Sequence, residues 1–236
     1  MGEHERRQGA ESASEPGAGA VGLMADSHGD AGLIRRAARL LAAKGCRRFY
    51  HLGDVCDSLM PQTAEACLDA LRQERVTAVR GNNEQALAAA LRGAAGAEGT
   101  VARLARLPLA IELEGALLVH SLPFTRELGP ASLIGALGPA EARRFFADFR
   151  HPLLFRGHGH SPQIVFRRGG RVDARLLEAG ETVVLAGRLP CIVTCGALAD
   201  GHCMVWQPAL RRVQSLRLDS CAAGIGCGVP GPDARC

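Results

Sequence analysis

Short apolar runs alternate with stretches in which apolar residues recur every three or four positions, and this alternation repeats three times in the first part of the chain. Residues 20–25 (AVGLMA) predict a strand that stops at Asp26, and 30–43 predict a helix with Asp30 at its N-cap. A second strand over 47–52 (RRFYHL) ends at Gly53 and Asp54, and a helix over 61–73 follows with Pro61 in its first turn. A third strand, 76–79, ends at Arg80 and Gly81, and a helix from Asn83 or Glu84 to Leu91 completes the unit. Three such units predict a parallel sheet with right-handed crossovers, whose loops gather at the carboxyl edge where these sheets bind ligands.

The pattern then changes. Residues 93–99 read as a flexible surface loop, and 109–112 and 116–120 flank Glu114 and Gly115 as a hairpin. After a helix over 140–149 come short strands at 153–156, 164–167, 172–177, 192–194, 204–207 and 213–218. They predict a second, mixed sheet packed against the first, in an α/β fold with no internal repeat beyond the βα unit.

A chain of 236 residues with 47% hydrophobic content accommodates one sizeable domain, expected over 21–218. Residues 1–20 are small and polar and read as a disordered lead, while 219–236 read as a flexible tail rich in Cys, Gly and Pro. The lead contains no secretory apolar run, and no later stretch approaches the roughly 20 apolar residues of a membrane span. A soluble, cytoplasmic protein with no membrane partner is expected. The net charge of +4 is small and the arginines are spread from Arg6 to Arg235, so charge alone gives no footprint for nucleic acid. The oligomeric state is not legible. Nine cysteines, an odd number at irregular spacing, argue against a disulfide framework. Cys191, Cys195 and Cys203 lack the gaps of zinc ribbons and fingers, and CIVTC reads instead as small buried thiols in a strand.

The candidate chemistry stands at strand ends. Asp26 and His28 follow the first strand, Asp54 the second and Asn82 the third, while His120 ends a later strand and His158 and His160 follow another. Rigid strands can bring such positions to one cavity. In extended chain, residues two apart point the same way, so Asp26 with His28 and His158 with His160 are each expected to face one metal cluster, with Gly159 letting the backbone approach the ions. Carboxylate, imidazole and amide ligands without thiolate suit two divalent transition-metal ions, manganese foremost, with iron, zinc or nickel as alternatives. Asp54 is the candidate to bridge ions about 3.5–4 Å apart, which would bind a phosphoryl oxygen and supply a bridging hydroxide for in-line attack on phosphorus. Asp26 and His28 alone would be a weak signal, since an Asp after a strand more often caps a helix. The GHGH run at 157–160 and the succession of signals at strand ends decide for a metal site.

In order, ADSHGD, HLGDVCD, RGNNE, VHSLP and GHGHSP resemble the five motif blocks of the calcineurin-like metallophosphoesterases, particularly the small phosphodiesterases of the YfcE type. The resemblance runs from about Val21 to Leu218. It implies a four-layer αββα sandwich of two mixed sheets flanked by helices, and a phosphodiesterase or phosphatase acting on a small phosphate ester. One ion would take Asp26, His28, Asp54 and His160, and the other Asp54, Asn82, His120 and His158. TCGAL from Thr194 is similar to the late NPGS-type turn, and the strands after it would close the second sheet.

The departures are specific. Asn83 stands where many members carry the His or Cys that acts as an acid, and a carboxamide donates no proton at neutral pH. Either a metal-bound water protonates the leaving group, or the substrate's leaving group needs no help. Ser58 follows Asp57 where protein phosphatases have Arg, which favours a phosphodiester over a phosphoprotein. Ser121 replaces a common Gly and is expected to narrow the approach to the second ion, and 124–149 is expected as a lid over the site. Arg126 and Arg156 are candidate phosphate partners against the alternative of surface or core-edge arginines. His51 is expected to pack or to orient a ligand through its ring N–H. Two further functions stay open, a scaffold of the same fold that has lost catalysis and a nuclease with the same metal chemistry.

Overall fold

The computed structural model describes residues 19–218, so the expected lead, apart from its last two residues, and the whole expected tail lie outside the described part. The first half follows the predicted pattern: β1 (Val21–Met24), α1 (Ala31–Ala43), β2 (Arg48–His51), α2 (Ala64–Gln73), β3 (Val76–Ala78) and α3 (Asn82–Ala90). Asp30 caps α1, its side chain accepting from Leu33 N at 2.9 Å, and Pro61 opens a short 3₁₀ turn ahead of α2. Strands β1, β2 and β3 pair in parallel.

The expected 93–99 loop is corrected at its end, where Glu98 and Gly99 open an unpredicted helix, α4 (Glu98–Arg106). Gly99 in its first turn argues against a helix by propensity. Tertiary contact overrides it, because Leu104 is buried and Arg103 bridges Glu65 and Asp69 of α2 at 2.9 and 3.0 Å. The hairpin β4 (Ala110–Leu113) and β5 (Ala116–Val119) is followed by α5 (Thr125–Leu128), α6 (Pro139–Asp148) and β6 (Leu153–Arg156). Then come β7 (Gln163–Arg168), β8 (Arg171–Leu176), the unpredicted β9 (Thr182–Val184), β10 (Cys191–Thr194), β11 (His202–Gln207) and β12 (Arg212–Arg217).

Two mixed six-stranded sheets result, one ordered β3-β2-β1-β11-β12-β9 and the other β4-β5-β6-β10-β7-β8. The strands after TCGAL were expected to close the second sheet, and this is corrected: β11 pairs antiparallel with β1 in the first. All four residues of β1 are buried, and a strand apolar on both faces needs a neighbour on each side.

Alternation of side chains sorts the core into three layers. Leu118, Phe155, Val193, Leu23, Met204 and Trp206 fill the space between the sheets. The opposite faces of the same strands carry Met24, Cys203 and Val205 against α1 and α2, or Leu117, Leu154 and Ile192 against Phe145 and Phe146 of α6. The ring centroids of Phe155 and Trp206 lie 4.9 Å apart in the middle layer, a contact of about 0.5–1.5 kcal/mol beyond its burial. Segment 124–149 is the fourth layer, not a lid: Phe124 and Phe145 are buried in the outer core against the second sheet. No described helix is long and apolar enough to cross a membrane. The cysteines of β10 and β11 are free buried thiols, and Cys195 Sγ lies 3.4 Å from Leu23 O.

Candidate metal centre

Each of the seven candidate ligands stands just beyond the carboxyl end of a strand. Asp26 and His28 follow β1, Asp54 follows β2, Asn82 opens α3 after β3, His120 follows β5, and His158 and His160 follow β6. Because β5 and β6 are also parallel, loops from both sheets meet at one end of the sandwich. The loops after β1 and β2 stay zipped beyond their strands: the amides of Asp26, His28 and Gly29 donate to Gly53 O, Asp54 O and Val55 O at 3.0, 3.1 and 3.0 Å.

This arrangement needs unusual backbone. Seven described non-glycine residues have positive φ, and four of them are Asp26 (54°), His28 (46°), Asp54 (54°) and His158 (61°). Left-handed backbone is uncommon outside glycine and concentrates at functional sites. It also replaces the extended backbone expected for the alternate residues: Asp26 and His28 do share one group, but through left-handed backbone. Gly159 N donates to Gly157 O at 2.7 Å, and this tight turn sends the two histidines to different groups. Asp26, His28 and His160 bring ligand atoms within 4.8 Å of one another, and so do Asp54, His120 and His158. Gly159 is needed for packing: a Cβ there would stand 3.0 Å from Thr194 Cγ2 and 3.4 Å from Arg156 Nη1.

In the second group, His120 Nδ1 lies 2.9 Å from Leu52 O, which holds the proton on Nδ1 and leaves the Nε2 lone pair facing inward. That Nε2 is 2.9 Å from Asn82 Oδ1, 3.1 Å from His158 Nδ1 and 3.4 Å from Asp54 Oδ1. The Asn82 amide points its oxygen into this group of acceptors. Turned over, its nitrogen would donate to His158 Nδ1, Asp54 Oδ2 and His120 Nε2 at 3.1, 3.3 and 2.9 Å. Either way the Asn82 side chain reaches the second group, and with its oxygen turned inward it can serve as a ligand.

In the first group, His28 Nε2 and His160 Nε2 are 3.3 Å apart. His160 Nδ1 is 2.9 Å from Asp200 Oδ2, so its Nε2 too is a bare acceptor. Carboxylate orientation of a ligating imidazole is a recurrent device of metal sites. Carboxylates, neutral imidazoles and an amide oxygen therefore fit divalent transition-metal ions. Electrostatics agree. Burial raises the pKa of Asp26, with Asp54 adding to the shift, while both Asp26 oxygens accept from His158 N at 3.2 and 3.0 Å. Burial lowers His120 to about 4 and also lowers His158, keeping both imidazoles in the neutral, ligating form.

The roles of several supporting residues escaped the sequence reading. Asn83 donates from its main-chain N to Asp54 Oδ1 at 2.9 Å and from Nδ2 to Asp54 Oδ2 at 2.7 Å, while its Oδ1 accepts from Ser58 N and Oγ at 3.0 and 2.8 Å. Glu84, fully buried, accepts from Asp54 N, Gly81 N and Cys56 N at 2.9, 2.7 and 2.8 Å. Desolvation, followed by the charge of Asp54, pushes its pKa to about 7. The G-x-x-E spacing from Gly81 was the available signal for Glu84. None pointed to Asp200, far along the chain from His160.

Of the remaining expectations, those for His51 and Arg156 each resolve to one of two alternatives, and that for Ser121 changes. His51 Nε2 lies 3.0 Å from Ser27 Oγ, which donates to Val55 O at 3.0 Å; it secures the loop between two ligands and orients neither directly. Ser121 does not narrow the site, because its hydroxyl is buried between Arg156 and Gly135 O. Arg156 is a core residue, donating from Nε to Ser121 O at 3.0 Å and from Nη2 to Ser121 Oγ at 3.1 Å. Arg126 lines a cavity of about 720 Å³ with Phe124, Arg144 and Phe149, and none of the seven ligands borders it.

The profile of the calcineurin-like phosphoesterase superfamily domain matches residues 20–198. No curated protein matches the chain. Among solved structures, a metallophosphoesterase from Sphaerobacter thermophilus is similar at 21% identity and a TM-score of 0.68, over 86% of this chain and 89% of that one. A putative diadenosine tetraphosphatase is similar at 13% identity and a TM-score of 0.52, over 85% and 94%. The phosphoesterase YfcE from E. coli is 20% identical over 79% and 87%, at a TM-score of 0.41.

Proposed function

The chain belongs to the calcineurin-like phosphoesterase superfamily, and from that premise we propose that it is a metal-dependent hydrolase of small phosphate esters, with phosphodiesters favoured. Asp26, His28, Asp54 and His160 would hold one divalent ion and Asp54, Asn82, His120 and His158 the other, with Asp54 shared. Two ions there would supply Lewis acidity at a phosphoryl oxygen and a nucleophile available at neutral pH. Manganese is favoured, with iron, zinc or nickel as alternatives.

The observation that carries this reading is the convergence of two adjoining ligand groups, Asp26, His28 and His160 in one and Asp54, His120 and His158 in the other, each with its ligand atoms within 4.8 Å of one another. The surrounding residues hold it ready: Asn83 and Glu84 fix Asp54, Leu52 O fixes the His120 ring, and Asp200 fixes His160. His160 is half-exposed, at 48% of its side chain, so a substrate can approach from that side.

Leaving-group protonation falls to no described side chain at the position where an acid is usual, since Asn83 is engaged with Asp54 and Ser58. This supports a substrate whose leaving group departs as an anion.

Metal analysis and turnover test the proposal together. Purified protein should carry close to two transition-metal ions and, with Mn²⁺ supplied, hydrolyse bis-p-nitrophenyl phosphate faster than the monoester. Asp54→Asn and His158→Ala should each remove activity while leaving the circular dichroism spectrum intact. Metal bound without turnover on any of the mononucleotides, cyclic nucleotides, dinucleotides or phospholipid esters tried would favour a scaffold, and turnover indifferent to both substitutions would place the site elsewhere.

A further inference from the structure

The end of the sandwich opposite the candidate metal centre collects arginines. Strand β7 begins just after His160 and runs away from the ligands, so Arg168 at its end lies about 17 Å along the strand from Gln163 at a rise near 3.3 Å per residue. Gly169 and Gly170, both at positive φ (52° and 82°), turn the chain back into β8. The register then sets Arg168 directly opposite Arg171. Both are exposed, and like charges directly opposed across a strand pair are destabilising.

More guanidinium groups come from the connection between the sheets. Arg167, Arg168 and Arg188 line one cavity of about 270 Å³ with Phe166, Ala186 and Gly187. Arg188 is held in place by its Nη1 donating to Val184 O at 2.5 Å. Arg211 and Arg212 adjoin this end, since Leu185 N donates to Arg211 O at 2.7 Å and Arg212 pairs with Val184 across β12 and β9.

None of Arg167, Arg168, Arg171 or Arg188 makes an ion pair among the described residues. The nearest acidic side chains along the chain are Asp173, which pairs with no arginine, and Glu181, which is bound to Arg175 at 2.7 Å. The register thus places two cations face to face, with Asp173 on the same face of β8 as Arg171 and with Glu181 engaged by Arg175 while also within the field of Arg188. An anion with several oxygens relieves this repulsion, and the guanidinium fork matches phosphate oxygens two at a time.

We propose that this cavity is a second, non-catalytic binding site for a small oligophosphate anion, of the class of pyrophosphate, tripolyphosphate or the phosphate chain of a nucleotide. Its volume admits two or three phosphoryl groups and its walls are too short to track a nucleic-acid strand. Its distance from the metal ligands separates it from the catalytic site.

The test uses full-length protein stripped of metal, so that the candidate centre cannot hold phosphate through bound ions. Tripolyphosphate is titrated calorimetrically into the wild type, Arg168→Ser, Arg188→Ser, Arg168→Lys and Asp54→Asn. Each serine substitution is expected to weaken binding about tenfold, the size of a charge-assisted hydrogen bond. Arg168→Lys should fall between, because it keeps charge and loses the fork, and Asp54→Asn should bind as the wild type does. Unchanged circular dichroism and unchanged Mn²⁺-supported turnover in the arginine variants show that they are folded. Equal affinity in the wild type and the serine variants overturns the proposal, as does loss of binding in Asp54→Asn. Tighter binding of a single-stranded oligonucleotide than of tripolyphosphate overturns the assignment to a small anion.

Discussion

Asn83 grips both carboxylate oxygens of Asp54, from its main-chain nitrogen at 2.9 Å and its side-chain nitrogen at 2.7 Å. A residue that stands where an acid is usual serves here to fix the carboxylate proposed to be shared. Asn83→Ala should weaken metal retention by about 10–100-fold, the range for lost outer partners of ligands. It should destabilise the metal-free protein by about 1–3 kcal/mol. Competition with a chelating dye and urea unfolding measure the two effects, and unchanged metal retention would show that the clamp is structural only.

The same geometry makes turnover sensitive to the leaving group. Across phosphodiesters of p-nitrophenol, phenol and methanol, rate should fall steeply as the pKa of the leaving alcohol rises, because no neighbouring acid compensates. A shallow dependence would reveal a proton donor other than Asn83.

His51 gives a pH dependence. Desolvation, then the charges of His120 and His28, lower its pKa from the ordinary 6.5 to about 3. Between those values the unfolded chain takes up a proton that the folded one refuses. Its contribution to stability is therefore complete above pH 6.5 and is lost as pH falls toward 3, by about 1.4 kcal/mol per pH unit. In urea unfolding of metal-free protein between pH 7 and 4, His51→Gln should flatten the slope by about 1 kcal/mol per pH unit. Parallel slopes would mean that water reaches the ring.

Thiol reactivity checks the core. Cys46, Cys56, Cys67, Cys191, Cys195 and Cys203 are free and buried, and burial pushes Cys46 and Cys67 to about 11 and Cys191 and Cys203 to about 12. None of the six should react with a disulfide reagent at pH 8 until the protein unfolds, since the thiolate is the reactive form. Peptide mapping after a short native exposure reads this directly, and early labelling at Cys195 would contradict the packing around Leu23.

Much of this was legible because periodicity reports burial. The ends of β1, β2, β5 and β6 place Asp26, Asp54, His120 and His158 from pattern alone. What stayed hidden depended on contacts distant in sequence: the pairing of β1 with β11, the Asp200 partner of His160, and α4, whose Gly99 contradicts its own helix. The split of His158 from His160 came from the family resemblance and not from spacing, because extended geometry carries no signal of the left-handed turn at His158. Of the two readings open for Arg156, phosphate partner or core-edge arginine, the second holds, because Ser121 receives its guanidinium.

The central place of β1 shapes how the protein is made. On the ribosome this strand emerges ahead of both its partners, can pair with β2 as soon as that strand follows, and then waits for β11 on its other edge, since Val21 is matched to Trp206. Until β11 is out, an apolar strand edge faces solvent or a chaperone. Truncation before residue 202 should therefore yield insoluble fragments, however complete their set of ligands.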